Sequence, residues 1–142
     1  MKVVASLLAL IAVLMFLPQT VITHAQQKPE DLAQKSAEAW LALPDSGKYA
    51  ESWDEAAGFF KSSISRDRWV DAMKSVRAPL GAVQSRKLKS ATYTKSLPGA
   101  PAGEYVVIQY DTDFGKKASS VETITPMLDK DGRWRVSGYF IK

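Results

Sequence analysis

Four side chains in the C-terminal half of the chain could move a proton: Tyr110, Asp111, Asp113 and Glu122. In an extended strand, alternate residues share a face. Asp111 and Asp113 would therefore lie together, opposite Tyr110 and Phe114, and meet solvent rather than form an acid–base pair. What remains of this chemistry is one carboxylate working with Tyr110. The sequence holds no cysteine and a single histidine, His24. That excludes a thiol nucleophile, a disulfide framework and a cysteine-ligated metal. If His24 is removed with a leader, imidazole acid–base catalysis and histidine-ligated metals go with it. No catalytic residue, metal ligand or cofactor is assigned from the sequence.

Other groupings have simpler explanations. Asp129-Lys130-Asp131-Gly132 has the start of a calcium loop but lacks the remaining ligands, and a hairpin accounts for all of it. Arg86, Lys87, Lys89 and Lys95 surround Tyr93. Alternation puts Lys87, Lys89 and Lys95 on one strand face, which reads as solvated or as protection of an edge. One aromatic and this modest charge do not make a nucleic-acid footprint, so no nucleic-acid partner is expected. The four tryptophans, Trp40, Trp53, Trp69 and Trp134, fall on inferred inward stripes and are first of all core residues. A pocket is the functional alternative. Trp53 and Trp69 would line it, while Tyr110, Thr123 and Thr125 supply polar groups to orient a small ligand, and Gly138 opposite leaves room.

The chain has 142 residues and a formal charge of +4. Residues 1–25 read as a secretory signal peptide. Lys2 is followed by an apolar run from Val3 to Leu17, broken only by Ser6, and Pro18 ends any helix. Thr23-His24-Ala25 offers small residues for cleavage between Ala25 and Gln26. The alternative is an uncleaved N-terminal anchor, although the run is short for the ~30 Å hydrocarbon core of a bilayer. The remaining domain, 26–142, carries 18 basic and 15 acidic side chains, a mild excess that implies weak attraction to anionic surfaces. Export to a periplasm or the extracellular space is expected. The partner would be a small ligand or an envelope protein, and the released domain would have no stable membrane span.

Helices come first in this domain. From Pro29, the residues Leu32, Ala39, Trp40 and Leu43 recur at helical spacing, and Pro44-Asp45-Ser46-Gly47 ends the pattern. Asp45 or Ser46 could cap the second helix. Tyr49, Trp53, Ala56, Ala57 and Phe60 form its stripe, weakened at Gly58. Ser65 is placed to cap a third helix from Arg66 to about Val76, burying Trp69, Met73 and Val76. Ala78 precedes Pro79 and is biased out of the helical region. Beyond Gly81 the period shortens to that of strands: Val83–Ser96, Glu104–Phe114, Val121–Leu128 and Arg133–Ile141. A loop from Leu97 to Gly103 separates the first two.

Asp129–Gly132 predicts a hairpin whose cross-strand partners sum to an odd number. Val121, Thr123, Thr125 and Met127 would then share a face with Trp134, Val136, Gly138 and Phe140. Pro126 cannot donate to a ladder and marks an edge or a bulge. Helices before antiparallel strands give an α+β fold, with N-terminal helices packed on one face of the sheet.

Several strings carry a resemblance. They are Tyr49-Ala50-Glu51-Ser52-Trp53, Trp69, Arg77-Ala78-Pro79-Leu80-Gly81, Gly103-Glu104-Tyr105-Val106-Val107 and Glu122-Thr123-Ile124-Thr125. The most specific is Asp131-Gly132-Arg133-Trp134-Arg135-Val136-Ser137-Gly138-Tyr139-Phe140-Ile141. Together they look like a bacterial family of exported domains of unknown function, numbered 4019. The helical half also resembles the cystatin-like cone of the nuclear-transport-factor and polyketide-cyclase-like superfamily. That resemblance implies helices on the concave face of a curved antiparallel sheet, enclosing a pocket. It also implies the alternative to a binding role, an isomerase- or cyclase-type enzyme in which a buried carboxylate works with a residue such as Tyr110, whereas the family of unknown function carries no catalytic residues across. The opposite, convex face would present Tyr105, Val107, Tyr139 and Ile141, a surface through which a homodimer could form.

Overall fold

A computed structural model describes residues 26–142. The expected signal peptide and the Ala25 side of its cleavage site lie outside the described residues. Four helices precede four strands: α1 (Pro29–Asp45), α2 (Tyr49–Asp54), α3 (Gly58–Ser63), α4 (Arg66–Arg77), β1 (Val83–Thr94), β2 (Tyr105–Phe114), β3 (Lys117–Leu128) and β4 (Trp134–Ile141). The strands form an open antiparallel meander in the order β1-β2-β3-β4, and the helices pack against this curved sheet. The fold is α+β, as the order of elements implied. No helix among the described residues is long and apolar enough to cross a membrane.

Proline at the start of α1 suits a position whose N–H has no helical partner. The helix buries Ala33, Ala37, Trp40, Leu41 and Pro44. This stripe is turned from the expected one, and Leu32 is left 37% exposed. Pro44 stays inside the last turn. The second stripe resolves into two short helices, broken at Glu55–Ala57, where the Ala57 N–H crosses to the Val136 carbonyl at 2.8 Å. Neither Asp45 nor Ser46 caps α2: Lys48 occupies that position, and the Ser46 hydroxyl turns back to the Ala42 carbonyl. Ser65 does cap α4, accepting from the Arg68 N–H at 3.4 Å. Trp69 and Met73 are buried there as expected, but Val76 is exposed and Arg77 is buried in its place. Ala78 keeps helical dihedrals before Pro79, against the local preference.

The core joins Ala33, Ala37, Trp40 and Leu41 of α1, Phe60 of α3, and Trp69 and Met73 of α4 to Val106, Ile108, Tyr110, Ile124 and Val136 of the sheet. A second cluster, at the β3–β4 turn end, packs Tyr105 and Met127 with Ala57, Phe59, Leu97 and Ala100. The loop after β1 folds over Tyr105, whose hydroxyl donates to the Pro101 carbonyl.

The register of β3 with β4 departs from the expectation. Thr123 pairs with Phe140 and Thr125 with Gly138, but beyond an irregularity at Thr125/Pro126 the pairs become Pro126–Val136 and Leu128–Trp134. Ser137 is the extra residue, and its hydroxyl donates to the Thr125 carbonyl at 2.8 Å. Pro126 thus sits at a bulge in an inner strand, not at an edge. One inserted residue reverses the parity of side chains on either side of it. Ile124, Val136 and Tyr139 accordingly face the helices. Thr123, Thr125 and Phe140 face the other way, and Phe140 is 50% exposed. The expected dimer surface is corrected with them, because Tyr139 belongs to the helix-facing side and Tyr105 is fully covered.

Candidate functional site

The bulge that turns Tyr139 inward completes a network of buried polar side chains. Glu122 of β3 is fully buried. Its Oε1 accepts from Arg86 Nε at 2.7 Å and from Thr112 Oγ1 at 2.6 Å, and its Oε2 accepts from the Tyr139 hydroxyl and from Arg86 Nη2 at 3.2 Å. Arg86 also grips Asp45 in bidentate fashion, at 2.7 and 3.0 Å. Arg77, its side chain 4% exposed, donates to Asp45 at 2.7 Å and to the Tyr139 hydroxyl at 3.2 Å. The Arg77 guanidinium lies 5.2 Å from the centre of the Phe114 ring. Each of α1, α4, β1, β2, β3 and β4 contributes one polar side chain.

Two guanidinium groups face two carboxylates, so the buried charges balance. Burial alone would raise the Asp45 carboxyl, but its hydrogen bonds to Arg86 and Arg77 hold it below the ordinary aspartate value. For Arg86 burial works against the charge, and its bonds to Asp45 and Glu122 win, keeping the guanidinium firmly protonated. Burial pushes the Tyr139 hydroxyl far up, and the neighbouring Glu122 adds to the shift. With four donors on its two oxygens, Glu122 has no lone pair left for a substrate proton. The arrangement ties six elements of the fold together.

The tryptophans serve the same end. Trp40 Nε1 donates to the Ser52 carbonyl at 2.7 Å and Trp69 Nε1 to the Ser52 hydroxyl at 2.9 Å. Trp53 Nε1 reaches the Ile64 carbonyl at 2.8 Å. Trp69 meets Phe60 edge-on at 4.8 Å between ring centres. Trp53 and Trp69 are therefore pins between helices, not the walls of a pocket. Tyr110 is buried on the helix-facing side, whereas Thr123 and Thr125 lie on the opposite face. Thr123 is beside Gln109 and Phe140, and Thr125 faces Gly138. The five residues expected to share a pocket are not brought together, because the bulge divides them between two faces. The Tyr110 hydroxyl has no hydrogen-bond partner among the described residues, and burial raises it to about 12.

Open space lies elsewhere, in grooves along α1 and in a cleft of about 550 Å³ between Phe59 of α3, the loop residues Pro101–Gly103 and the β3–β4 turn. One groove of about 750 Å³ runs between the start of α1 and the β3–β4 turn, lined by Lys28, Pro29, Leu32, Leu128, Arg133 and Trp134 among others. A smaller one of about 290 Å³ continues between Trp40 and Leu43 of α1 and Trp134–Val136 of β4. Ser36, Arg133 and Trp134 line both. The Ser36 hydroxyl donates to the Trp134 carbonyl at 2.7 Å, fixing the helix on the strand where the grooves meet. Gln26, next to the expected cleavage point, lies at the mouth of the larger groove. The hairpin carboxylates are occupied: Asp131 is bound by Arg135 at 2.8 Å on each oxygen, and Asp129 accepts from the Gly58 N–H at 3.2 Å. Both aspartates thus serve the hairpin itself.

The family model described as Protein of unknown function (DUF4019) matches residues 36–139. The chain belongs to this family. Comparison with curated proteins returns no match. The DUF4019 region begins at the serine that fastens α1 to β4 and ends at the tyrosine that completes the Glu122 network. All six polar residues of the network fall inside it. Glu122, Arg77 and Tyr139 stand in strings that the sequence offers as characteristic. Their partnership was not legible there, since Asp45 and Arg86 meet them only through tertiary packing.

Proposed function

We propose that this DUF4019 chain is an exported, non-catalytic binding domain that takes its ligand in the groove between α1 and the β3–β4 hairpin. The observation that carries this reading is the groove itself. It falls within the several-hundred-Å³ range typical of small-molecule sites, and its wall includes an exposed leucine, Leu32, and the flank of Trp134. A groove with unburied apolar side chains gains free energy when a ligand covers them. The saturation of Glu122 weighs against the isomerase or cyclase alternative, which needs a buried carboxylate with a free lone pair facing substrate. The leader-like segment 1–25 supports export, and the absence of cysteine in the chain suits an envelope compartment equally with or without oxidants.

Two measurements test the reading. Intact-mass analysis of the protein recovered outside the inner membrane should correspond to a chain beginning at Gln26, and a retained leader would argue for anchorage instead. In a thermal-shift screen of peptides, glycans and amphiphiles, a true ligand raises the midpoint in proportion to RT ln(1 + [L]/Kd). Ser36→Trp, which places an indole where the two grooves meet, should abolish that shift. Leu32→Trp fills the larger groove without losing the Ser36 bond, so loss of binding can be separated from loss of fold. A ligand that both variants bind unchanged would place the site elsewhere.

A further inference from the structure

The chemistry of the larger groove narrows the kind of ligand. Its apolar wall is built by Pro29, Leu32, Leu128 and the flank of Trp134. Leu32 is one of only four large hydrophobic side chains exposed among the described residues. Beside this wall stand Lys28 and Arg133, and neither forms an ion pair among the described residues, although the neighbouring Arg135 is held by Asp129 and Asp131. Residues 1–25 contain no aspartate or glutamate, so the leader offers no side-chain carboxylate to either cation. The one acidic residue of the lining, Glu104, already accepts from the Tyr93 hydroxyl at 2.7 Å. The apolar trough is thus bordered by two cations outside any ion pair among the described residues and by one carboxylate, a net positive border complementary to an apolar chain ending in an anion.

We propose that this groove binds a free single-chain amphiphile with an anionic head, the chain lying against Leu32, Leu128 and Trp134 and the head meeting Arg133 and Lys28. The inference rests on the groove being the ligand site. Burial of the chain supplies most of the affinity, and the charge pairing selects the sign of the head group.

Dodecanoate below its micelle concentration is the probe, followed by intrinsic tryptophan fluorescence and by calorimetry on the purified protein. Dodecanoate should bind saturably with one site. Dodecyltrimethylammonium, with the same chain and the opposite charge, should bind at least about tenfold more weakly, and acetate not measurably. Arg133→Glu should weaken dodecanoate at least about tenfold, which corresponds to about 1.4 kcal/mol, and Leu32→Gln should do likewise. Lys87→Glu, the same charge change on an exposed strand residue away from the groove, should leave it unchanged. Equal binding of the two amphiphiles, or indifference to Arg133→Glu, would overturn the proposal. So would binding to anionic vesicles that free dodecanoate does not compete away, which would indicate a membrane surface instead. If Ser36→Trp blocks an uncharged ligand from the screen while dodecanoate fails to bind, the groove stands and the amphiphile falls. If Ser36→Trp blocks nothing, both fall.

Discussion

Tyr110 and Glu122 face each other across β2 and β3, yet their hydroxyl and carboxylate are treated in opposite ways. Glu122 receives four donors, whereas the Tyr110 hydroxyl is buried with none. A buried hydroxyl without a partner costs about 1–3 kcal/mol by mutational measures, and removing it costs nothing in hydrogen bonding. Tyr110→Phe should therefore leave stability unchanged or raise it by about 1 kcal/mol, measured as the midpoint of urea unfolding. A destabilisation of the same size would show that the hydroxyl has a partner after all. The substitution should also leave ligand binding in the α1 groove intact, since Tyr110 does not line it. The sequence places Tyr110 on the inward face. The tyrosine does stand on the inward face. Its neighbourhood, a saturated carboxylate and packed α1 alanines, depends on residues far away in the chain and was not legible.

Pro126 and Ser137 show how a single irregularity in one element redistributes a whole face. The proline offers no N–H to the ladder, β4 carries one extra residue opposite it, and the Ser137 hydroxyl supplies a donor to the Thr125 carbonyl. Ser137→Ala should lower stability by roughly 1 kcal/mol, readable in thermal unfolding followed by far-ultraviolet circular dichroism. A Ser137→Ala variant as stable as the parent would mean that the bulge is held by the backbone alone. The proline is visible in the sequence and implies a bulge or an edge. Strict alternation through it put Thr123, Thr125 and Phe140 on the inward face, and the bulge reversed that assignment. The helices were more legible, because Ser65, Pro29 and the spacing of Trp69 and Met73 act locally. Within α1 the buried stripe lies one step from the one the spacing predicts, since the small side chains of Ala33 and Ala37 let the helix sit close to the core.

At the scale of the whole molecule, the charged network couples folding to pH. Asp45 is held below its ordinary value by Arg86 and Arg77 against the effect of burial, and Arg135 draws Asp131 down to about 2. The unfolded chain therefore takes up protons more readily than the folded one. Stability is fully present above about pH 5 and is lost as pH falls through the folded values of these carboxyls. Asp45→Asn should lower stability at neutral pH and flatten this acid limb, as measured by denaturant midpoints between pH 7 and pH 3. An unchanged slope would remove Asp45 from the coupling. On the alkaline side the sign is reversed: Tyr110, raised to about 12 by burial, and the still higher Tyr139 favour the protonated fold. Stability from these groups is lost as pH climbs from about 10 towards their folded values.

By itself the sequence determined the class of fold, the placing of helices before strands, and the lack of thiol and imidazole side chains in residues 26–142. These depend on composition and on local periodicity, which need no partner distant in the chain. Tertiary structure alone decided which polar residues meet and where space remains. Asp45, Arg77, Arg86, Thr112, Glu122 and Tyr139 converge because six elements bring one side chain each to the same point. The groove opens beside α1 because the tryptophans and the inward sheet residues fill the interior between helices and sheet. Both outcomes depend on register and packing, and a single extra residue at Ser137 was enough to change which side chains took part.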